Sequence, residues 1–241
     1  KILLFGEYGI IKDSKGLAIP YNFYNGALKI DENQSEIAKK SNQSLMAFAT
    51  YLSELSGQEP DLVQFDLDAL NKDLQKGMYF DSSIPQGYGV GSSGALVAAI
   101  YDKYAHDKIT VLENLNREKL LVLKKIFGRM ESFFHGTSSG LDPLNSYLSL
   151  PILINSKDHI EPTGIPYQKE EGKGAVFLID SEMVGETAPM VNIFMDNLKN
   201  EGFRTMMKSQ FTKYTDAAVE NFLKGDFKTL FTNTKELSKI A

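Results

Sequence analysis

The chain has 241 residues, 42% of them hydrophobic and 24% charged, and carries a formal net charge of −5 at pH 7. This composition is typical of a globular protein with enough sequence for one large domain or two small ones. The acidic balance argues against a general nucleic-acid or anionic-membrane binder, because basic surfaces recognise those partners. The absence of cysteine excludes disulfides, thiolate nucleophiles and cysteine-ligated metal centres.

Neither a membrane span nor an export signal is visible in the sequence. The longest apolar run, over 95–101, is far shorter than the roughly 20 residues that cross a bilayer. We therefore expect a cytoplasmic protein. The chain begins with strand-like sequence and no Met, and it ends inside a helical pattern. We expect both ends to be cut, so that further motifs lie outside the sequence.

Hydrophobic periodicity and turn residues predict alternating strands and helices. The chain opens with a predicted β-rich segment over 1–30, with a hairpin at 13–16, followed by a helix over 36–56 stopped by Gly57 and a strand over 63–67. Next come a predicted helix over 95–106, an amphipathic helix from about 120 that ends at Gly136, and a strand over 150–154. A predicted linker over 168–174 leads to a strand over 175–180 and to helices that continue to the end. This order indicates a mixed α/β protein.

A glycine-rich segment, PQGYGVGSSG at 85–94, stands directly before a predicted helix. It contains G-x-G-x-x-G, but a dinucleotide-binding fold needs a buried strand before that motif and an acidic residue ending the next strand. Here a proline-bearing loop precedes the motif, and Glu113 lies in a helix-like polar stretch. Converging backbone N–H groups and a helix N-terminus suit a phosphate, and the Ser92 and Ser93 hydroxyls suit phosphate-bound Mg²⁺. The alternative is a turn whose serines only cap the helix.

The sequence excludes two other kinds of phosphate enzyme and disfavours a hydrolase. The P-loop signature is absent, as are the H-R-D and D-F-G motifs of protein kinases. Residues 136–140, GTSSG, fit the G-x-S-x-G pattern of a hydrolase nucleophile. That pattern requires a strand before the serine, whereas a predicted helix precedes Ser138. His159 is the only later histidine, too near in sequence for the usual serine, acid and histidine order.

Two carboxylates flank the GTSSG segment. Glu131 lies on the predicted helix, and the loop after it leads to Asp142. A carboxylate with a hydroxyl suits Mg²⁺, which prefers oxygen ligands, and a second carboxylate suits a base that takes a proton from an alcohol. The alternative is that Asp142, before a proline, caps a helix and that Glu131 lies on a solvated helix face.

Three stretches together resemble the GHMP small-molecule kinases, and among them the mevalonate kinase group. They are KILLFGEY at 1–8, the phosphate-binding signature at 85–95, and ESFFHGTSSGLD at 131–142. The last matches Glu-x-x-x-His-Gly-x-x-Ser-Gly-x-Asp at every fixed position. The resemblance implies an α/β (α+β) two-domain fold. An N-terminal ribosomal-protein-S5-like ATP-binding domain would cover 1–170, and an incomplete ferredoxin-like domain would cover 171–241.

The resemblance also implies the residues of the active site. It gives Asp142 as the catalytic base, with Lys1 near the reacting hydroxyl, and it gives Ser93 and Glu131 as Mg²⁺ ligands. The implied ATP-binding residues are Pro85, Gly87, Gly89, Val90, Gly91, Ser92, Ser93 and Gly94. The implied substrate-pocket residues are Glu7, His135, Gly140 and Thr187.

The implied activity is ATP- and Mg²⁺-dependent phosphorylation of a small alcohol, with mevalonate as the leading acceptor. Phosphomevalonate kinase and other GHMP kinases are alternatives, as is a non-catalytic nucleotide- or metabolite-binding module on the same fold. The resemblance implies no nucleic-acid or membrane partner and leaves a homodimer open. Two features depart from the family. Gly94 replaces the usual Ala, and the C-terminal glycine-rich motif is absent.

Overall fold

The computed structural model describes residues 1–33, 35–111, 115–166, 177–179, 182, 183, 185 and 187–240. The strands are β1 (Ile2–Phe5), β2 (Gly16–Ile19), β3 (Gly26–Ile30), β4 (Met78–Ser82), β5 (Ile152–Ser156) and β6 (His159–Pro162). The helices are α1 (Glu36–Gln58), α2 (Leu67–Gln75), α3 (Ser92–Tyr104), α4 (Arg117–His135), α5 (Leu141–Leu148), α6 (Thr187–Asn197), α7 (Glu201–Met206), α8 (Thr212–Lys224) and α9 (Phe227–Leu237). The mixed α/β class is confirmed.

The chain divides into two compact units. The first comprises Lys1 with Pro20–Gln86 and Val90–Ser149, and the second comprises Ile2–Ile19, Gly87–Gly89 and Leu150–Ala241. Each unit is therefore assembled from separated stretches of sequence. The predicted domain boundary at 170/171 lies outside the described residues and stays a prediction.

In the first unit, the two-stranded antiparallel sheet of β3 and β4 and the helices α1 to α5 surround an apolar core. Helix α4 begins where the Asn116 side chain accepts a hydrogen bond from the Lys119 N–H, which satisfies one of the free donors of the first turn. One stripe of its apolar residues is buried, including Leu123, Phe127 and Met130. This burial fixes the rotation of the helix, and therefore the direction in which Glu131 points.

In the second unit, an antiparallel sheet has the strand order β1-β2-β5-β6. The segment before β2 is held by α8, because the backbone N–H of Lys15 donates to Asp216 at 2.7 Å and its ammonium pairs with Glu220 at 2.6 Å. A small apolar cluster of Phe194, Leu198 and Met207 is also buried in this unit.

Three local predictions are wrong. The predicted strand at 63–67 is reduced to one isolated antiparallel bridge between Phe65 and Ala105, because the Asp66 side chain accepts from the Ala69 N–H and caps α2. No strand forms at 177–179, which are exposed; the other residues of the strand predicted at 175–180, and the linker predicted at 168–174, lie outside the described residues. Gly57 lies inside α1 rather than ending it. Within the described ranges, no helix combines the length and the apolar character needed to cross a membrane.

Candidate active site

The two residues implied as catalytic form an ion pair in the first unit. Lys1 Nζ lies 2.5 Å from Asp142 Oδ1, and the main-chain nitrogen of Lys1 donates to the carbonyl of Val90 at 3.0 Å. The Lys1 and Asp142 side chains are 12% and 30% exposed. Asp142 lies in the first turn of α5, where the helix dipole stabilises a negative charge. Asp142 is therefore a fixed, half-buried carboxylate with a cation, Lys1, beside it.

The N-terminus of α3 packs directly against this pair through two glycines. Gly91 precedes α3 with a φ of +84°, and a Cβ there would lie 3.6 Å from Asp142 Oδ2. A Cβ at Gly94 would lie only 2.8 Å from the Cβ of Asp142 and from the nitrogen of Pro143. The close packing of α3 on α5 therefore explains why glycine replaces the alanine that the family resemblance implies at position 94.

Helix α3 begins without a capping side chain among the described residues, since Gly91 occupies the cap position. The interpretation of the serines as simple caps is therefore wrong. The uncapped first-turn N–H groups suit an anion, as expected of a phosphate site. The φ angles of Gly87 and Gly89 are also positive. These two glycines belong to the second unit, so their predicted contact with ATP stays a prediction.

Glu131 is a buried carboxylate. It is only 4% exposed, so its interpretation as a solvated helix residue is wrong. Its Oε1 accepts from Ser93 Oγ at 3.0 Å, and its Oε2 accepts from Ser138 Oγ at 2.5 Å. Burial raises the pKa of this carboxyl above its ordinary value, and the charge of Asp142 raises it further, whereas the two hydroxyl donors lower it.

The loop after α4 brings the motif residues to Glu131. His135 Nε2 lies 3.0 Å from Ser93 Oγ, so the motif histidine, at the C-terminal end of α4, contacts the serine that binds Glu131. Gly140 has a φ of +73°, and a Cβ there would lie 2.1 Å from the carbonyl oxygen of Lys124. Only glycine fits at this position, and it allows the loop to fold back onto α4.

A cavity of about 450 Å³ is lined by Lys1 of the ion pair and by Gly91, but not by Asp142. This volume is in the range of roughly 300–1,000 Å³ that is common for small-molecule sites. The described lining includes one cation, Lys1, and one carboxylate, Asp102. The other contributions are mostly aromatic, small or neutral polar, among them Tyr21, Asn22, Tyr24, Asn25, Ala95, Ala98, Ala99, Asn145, Ser146 and Tyr147.

The donor set at Glu131 fits Mg²⁺. Within the described residues, no group of three or more His, Cys, Asp or Glu side chains is arranged to hold a metal ion. Glu131 and Ser93 supply two oxygen atoms next to a helix N-terminus. Mg²⁺ is usually held by one or two carboxylates, with substrate phosphates and water completing the shell. Two protein ligands beside an anion site are consistent with that pattern.

The predicted site residues are divided between the two units. The first unit contains Lys1, Pro85, Val90, Gly91, Ser92, Ser93, Gly94, Glu131, His135, Gly140 and Asp142, and the second contains Glu7, Gly87, Gly89 and Thr187. Glu7 is exposed in a turn after β1, and Thr187 begins α6 with its side chain outside the described part. The Ser138 contact with Glu131 was missed by sequence reasoning, which treated Ser138 only as a rejected nucleophile.

The comparisons with known proteins bear on the family and the fold. Residues 46–149 match the family model described as "GHMP kinases N terminal domain". This range contains α3, Glu131 and Asp142, and the resemblance to the GHMP kinases is confirmed. These residues are similar to the N-terminal domain of the GHMP kinases.

One solved structure has a similar fold over nearly the whole chain. It is the crystal structure of L. major mevalonate kinase in complex with R-mevalonate, with a TM-score of 0.55 and 20% sequence identity. The similarity covers 99% of this chain and 73% of the L. major chain. At this identity the likeness concerns the fold. A comparison with curated protein sequences gives no match.

Proposed function

We propose that the protein is an ATP- and Mg²⁺-dependent kinase that phosphorylates the hydroxyl of a small alcohol. The observation that carries the proposal is the Lys1–Asp142 pair at 2.5 Å, next to the uncapped N-terminus of α3. A helix N-terminus binds phosphate, and a carboxylate accepts the proton of an attacking hydroxyl. The family model supports the kinase class.

Asp142 orients the acceptor hydroxyl and takes its proton as the bond to phosphorus forms. An aspartate, with an ordinary pKa of about 3.9, cannot hold a free alkoxide, whose conjugate acid has a pKa of roughly 16. In a loose phosphoryl-transfer transition state the proton leaves late, so orientation matters more than base strength. The Lys1 ammonium stabilises negative charge near the reacting oxygens. Bound Mg²⁺ would neutralise phosphate charge, held by Glu131 and Ser93.

We propose mevalonate as the acceptor, bound in the cavity beside Lys1. The L. major protein with a similar fold is a mevalonate kinase in complex with R-mevalonate. Phosphomevalonate carries an additional phosphate, which needs further cations in its pocket. Among the described lining residues, Lys1 is the only Lys or Arg. The charge of the cavity therefore favours the unphosphorylated acceptor and makes a phosphomevalonate kinase the weaker alternative.

An acceptor panel tests this proposal. ATP consumption is measured with mevalonate, phosphomevalonate, homoserine and galactose, each over a range of concentrations. We expect the highest kcat/KM with mevalonate. A preference for phosphomevalonate would contradict the substrate assignment. Nucleotide binding without turnover on any alcohol would contradict the kinase proposal and favour a non-catalytic binding module.

A further inference from the structure

We propose that Ser138 is a positioning residue for the metal ligand Glu131. This inference rests on the proposed function, which makes Glu131 a ligand of the divalent cation. Position 138 is one of the unspecified positions of the motif that this chain shares with the mevalonate kinase group. The hydroxyl at 138 therefore adds a contact that the fixed positions of that motif do not supply.

Two hydrogen bonds fix the direction of the Ser138 hydroxyl. The N–H of Gly140 donates to Ser138 Oγ at 3.0 Å, and Ser138 Oγ donates to Glu131 Oε2 at 2.5 Å. The serine oxygen thus accepts on one side and donates on the other. Because Ser93 donates to Oε1, each carboxylate oxygen of Glu131 has one hydroxyl donor. The rotamer of Glu131 is held from both sides.

The backbone of the loop has its own anchors, so the Ser138 hydroxyl is not needed to fold it. Gly136 ends α4 with a φ of +71°, and its N–H donates to the carbonyl of Ser132. Gly140 packs against the backbone of α4 as described above. A Cβ at Gly128 would lie 3.1 Å from the Ser138 carbonyl oxygen, so main chain packs on main chain there as well. Loss of the hydroxyl is therefore expected to affect Glu131 before it affects the loop.

The functional consequence concerns cation affinity. A buried carboxylate that loses one donor samples additional rotamers, and binding then has to order it. Residues that hydrogen-bond to a metal ligand and orient it typically contribute about 10- to 100-fold to metal affinity or activity. We expect Ser138→Ala to weaken binding of the cation by about tenfold, at the lower end of this range, because Ser93 still holds the other oxygen.

The test uses Mn²⁺ as the probe and the protein with ADP. Mn²⁺ affinity is measured by electron paramagnetic resonance for Ser138→Ala, Ser138→Thr and Ser138→Val, and the Mg²⁺ concentration for half-maximal turnover is measured in parallel. Thr and Val have the same shape, but only Thr keeps the hydroxyl, so this pair isolates the hydrogen bond. Ser139→Ala is the matched control, since its hydroxyl accepts from the Leu141 N–H at 3.3 Å.

We expect weaker Mn²⁺ binding with Ala and Val, near-normal binding with Thr and with Ser139→Ala, and little change in kcat at saturating Mg²⁺. Equal Mn²⁺ affinity of the Thr and Val variants would overturn the inference, as would a loss in Ser139→Ala as large as in Ser138→Ala. The metal measurement needs no acceptor. A Thr-to-Val difference in Mn²⁺ binding without turnover on any alcohol would therefore support the positioning role while contradicting the proposed kinase activity.

Discussion

At the scale of single residues, Glu131 shows a conflict between stability and function. Its carboxyl is buried, and its pKa is raised by burial and by Asp142. When the pKa of an acid is higher in the folded state than in the unfolded state, folding becomes less favourable as pH rises from the unfolded-state pKa to the folded-state pKa. At neutral pH the ionised carboxylate therefore lowers the free energy of unfolding. The two serine donors reduce this cost, and a bound cation would reduce it further.

Glu131→Gln should stabilise the metal-free protein at neutral pH while removing its affinity for Mn²⁺. A gain of about 1 kcal/mol would raise the melting temperature by roughly 2–4 °C for a domain of this size. The measurement is thermal unfolding in the presence of a chelator, from pH 4 to pH 8. We expect the advantage of the variant to grow as pH rises above the ordinary pKa of a glutamate and to vanish at the acidic end. A wild type that is more stable than the variant at neutral pH would contradict this account.

The sequence predicted which residues belong to the candidate site better than it predicted their burial and contacts. The motif resemblance named Glu131, Ser93 and Asp142, but the pattern of residues alone left Glu131 equally suited to a solvated helix face. Its burial depends on the loop that folds back at Gly140, and that contact joins main chains rather than side chains. Ser138 was missed for the same reason. The periodicity of hydrophobic residues does not indicate that a hydroxyl in a loop contacts a particular carboxylate oxygen on a helix.

At the scale of elements, the contact between the N-termini of α3 and α5 positions Asp142, the proposed catalytic carboxylate. The close approach depends on Gly94, where a Cβ would lie 2.8 Å from Asp142 and Pro143 backbone and Cβ atoms. Real Cβ contacts are not this short, so alanine requires α5 to move. Asp142 would move with the helix, away from Lys1.

Gly94→Ala should lower kcat by about tenfold or more, because small displacements of a reacting group cost up to about 100-fold in rate. This result is expected even though alanine is the residue that the family resemblance implies. The KM for ATP should change less, since Gly91, Ser92 and Ser93 are unaltered. Gly57→Ala is the matched control. It lies inside α1 with nothing within 4 Å of its Cβ, and alanine there should add about 0.5–1 kcal/mol of stability without changing kcat. Equal kcat in both variants would contradict the positioning role of Gly94.

Local pattern predicted long helices well and short strands poorly. The helix over 36–56 and the one ending near Gly136 correspond to α1 and α4, because each has several turns of consistent periodicity. The predicted strand at 63–67 failed because a single residue, Asp66, caps α2 and interrupts the pairing. Alternation over five residues cannot distinguish a strand from the approach to a helix.

At the scale of the whole molecule, the mixed α/β class was predicted from the sequence, but the way in which the elements are grouped was not. Residues 16–18 of β2 pair with residues 152–154 of β5, although some 130 residues separate the two strands. Strand pairing over such a distance is determined by the complete fold and has no local signature. The family resemblance provided the fold, and the similarity to the L. major structure supports it.

The most direct test of the central claim compares Asp142→Asn with Asp68→Asn. Both aspartates lie in the first turn of a helix, but Asp68 is exposed on α2, away from the residues of the candidate site. The rate of phosphoryl transfer from ATP to mevalonate is measured in single turnovers, with nucleotide binding measured separately by the shift in melting temperature. We predict that Asp142→Asn lowers the transfer rate by about 10²- to 10⁴-fold, the usual contribution of a general base. The nucleotide shift should be retained, and Asp68→Asn should behave as the wild type. Transfer by Asp142→Asn at the wild-type rate would contradict the account.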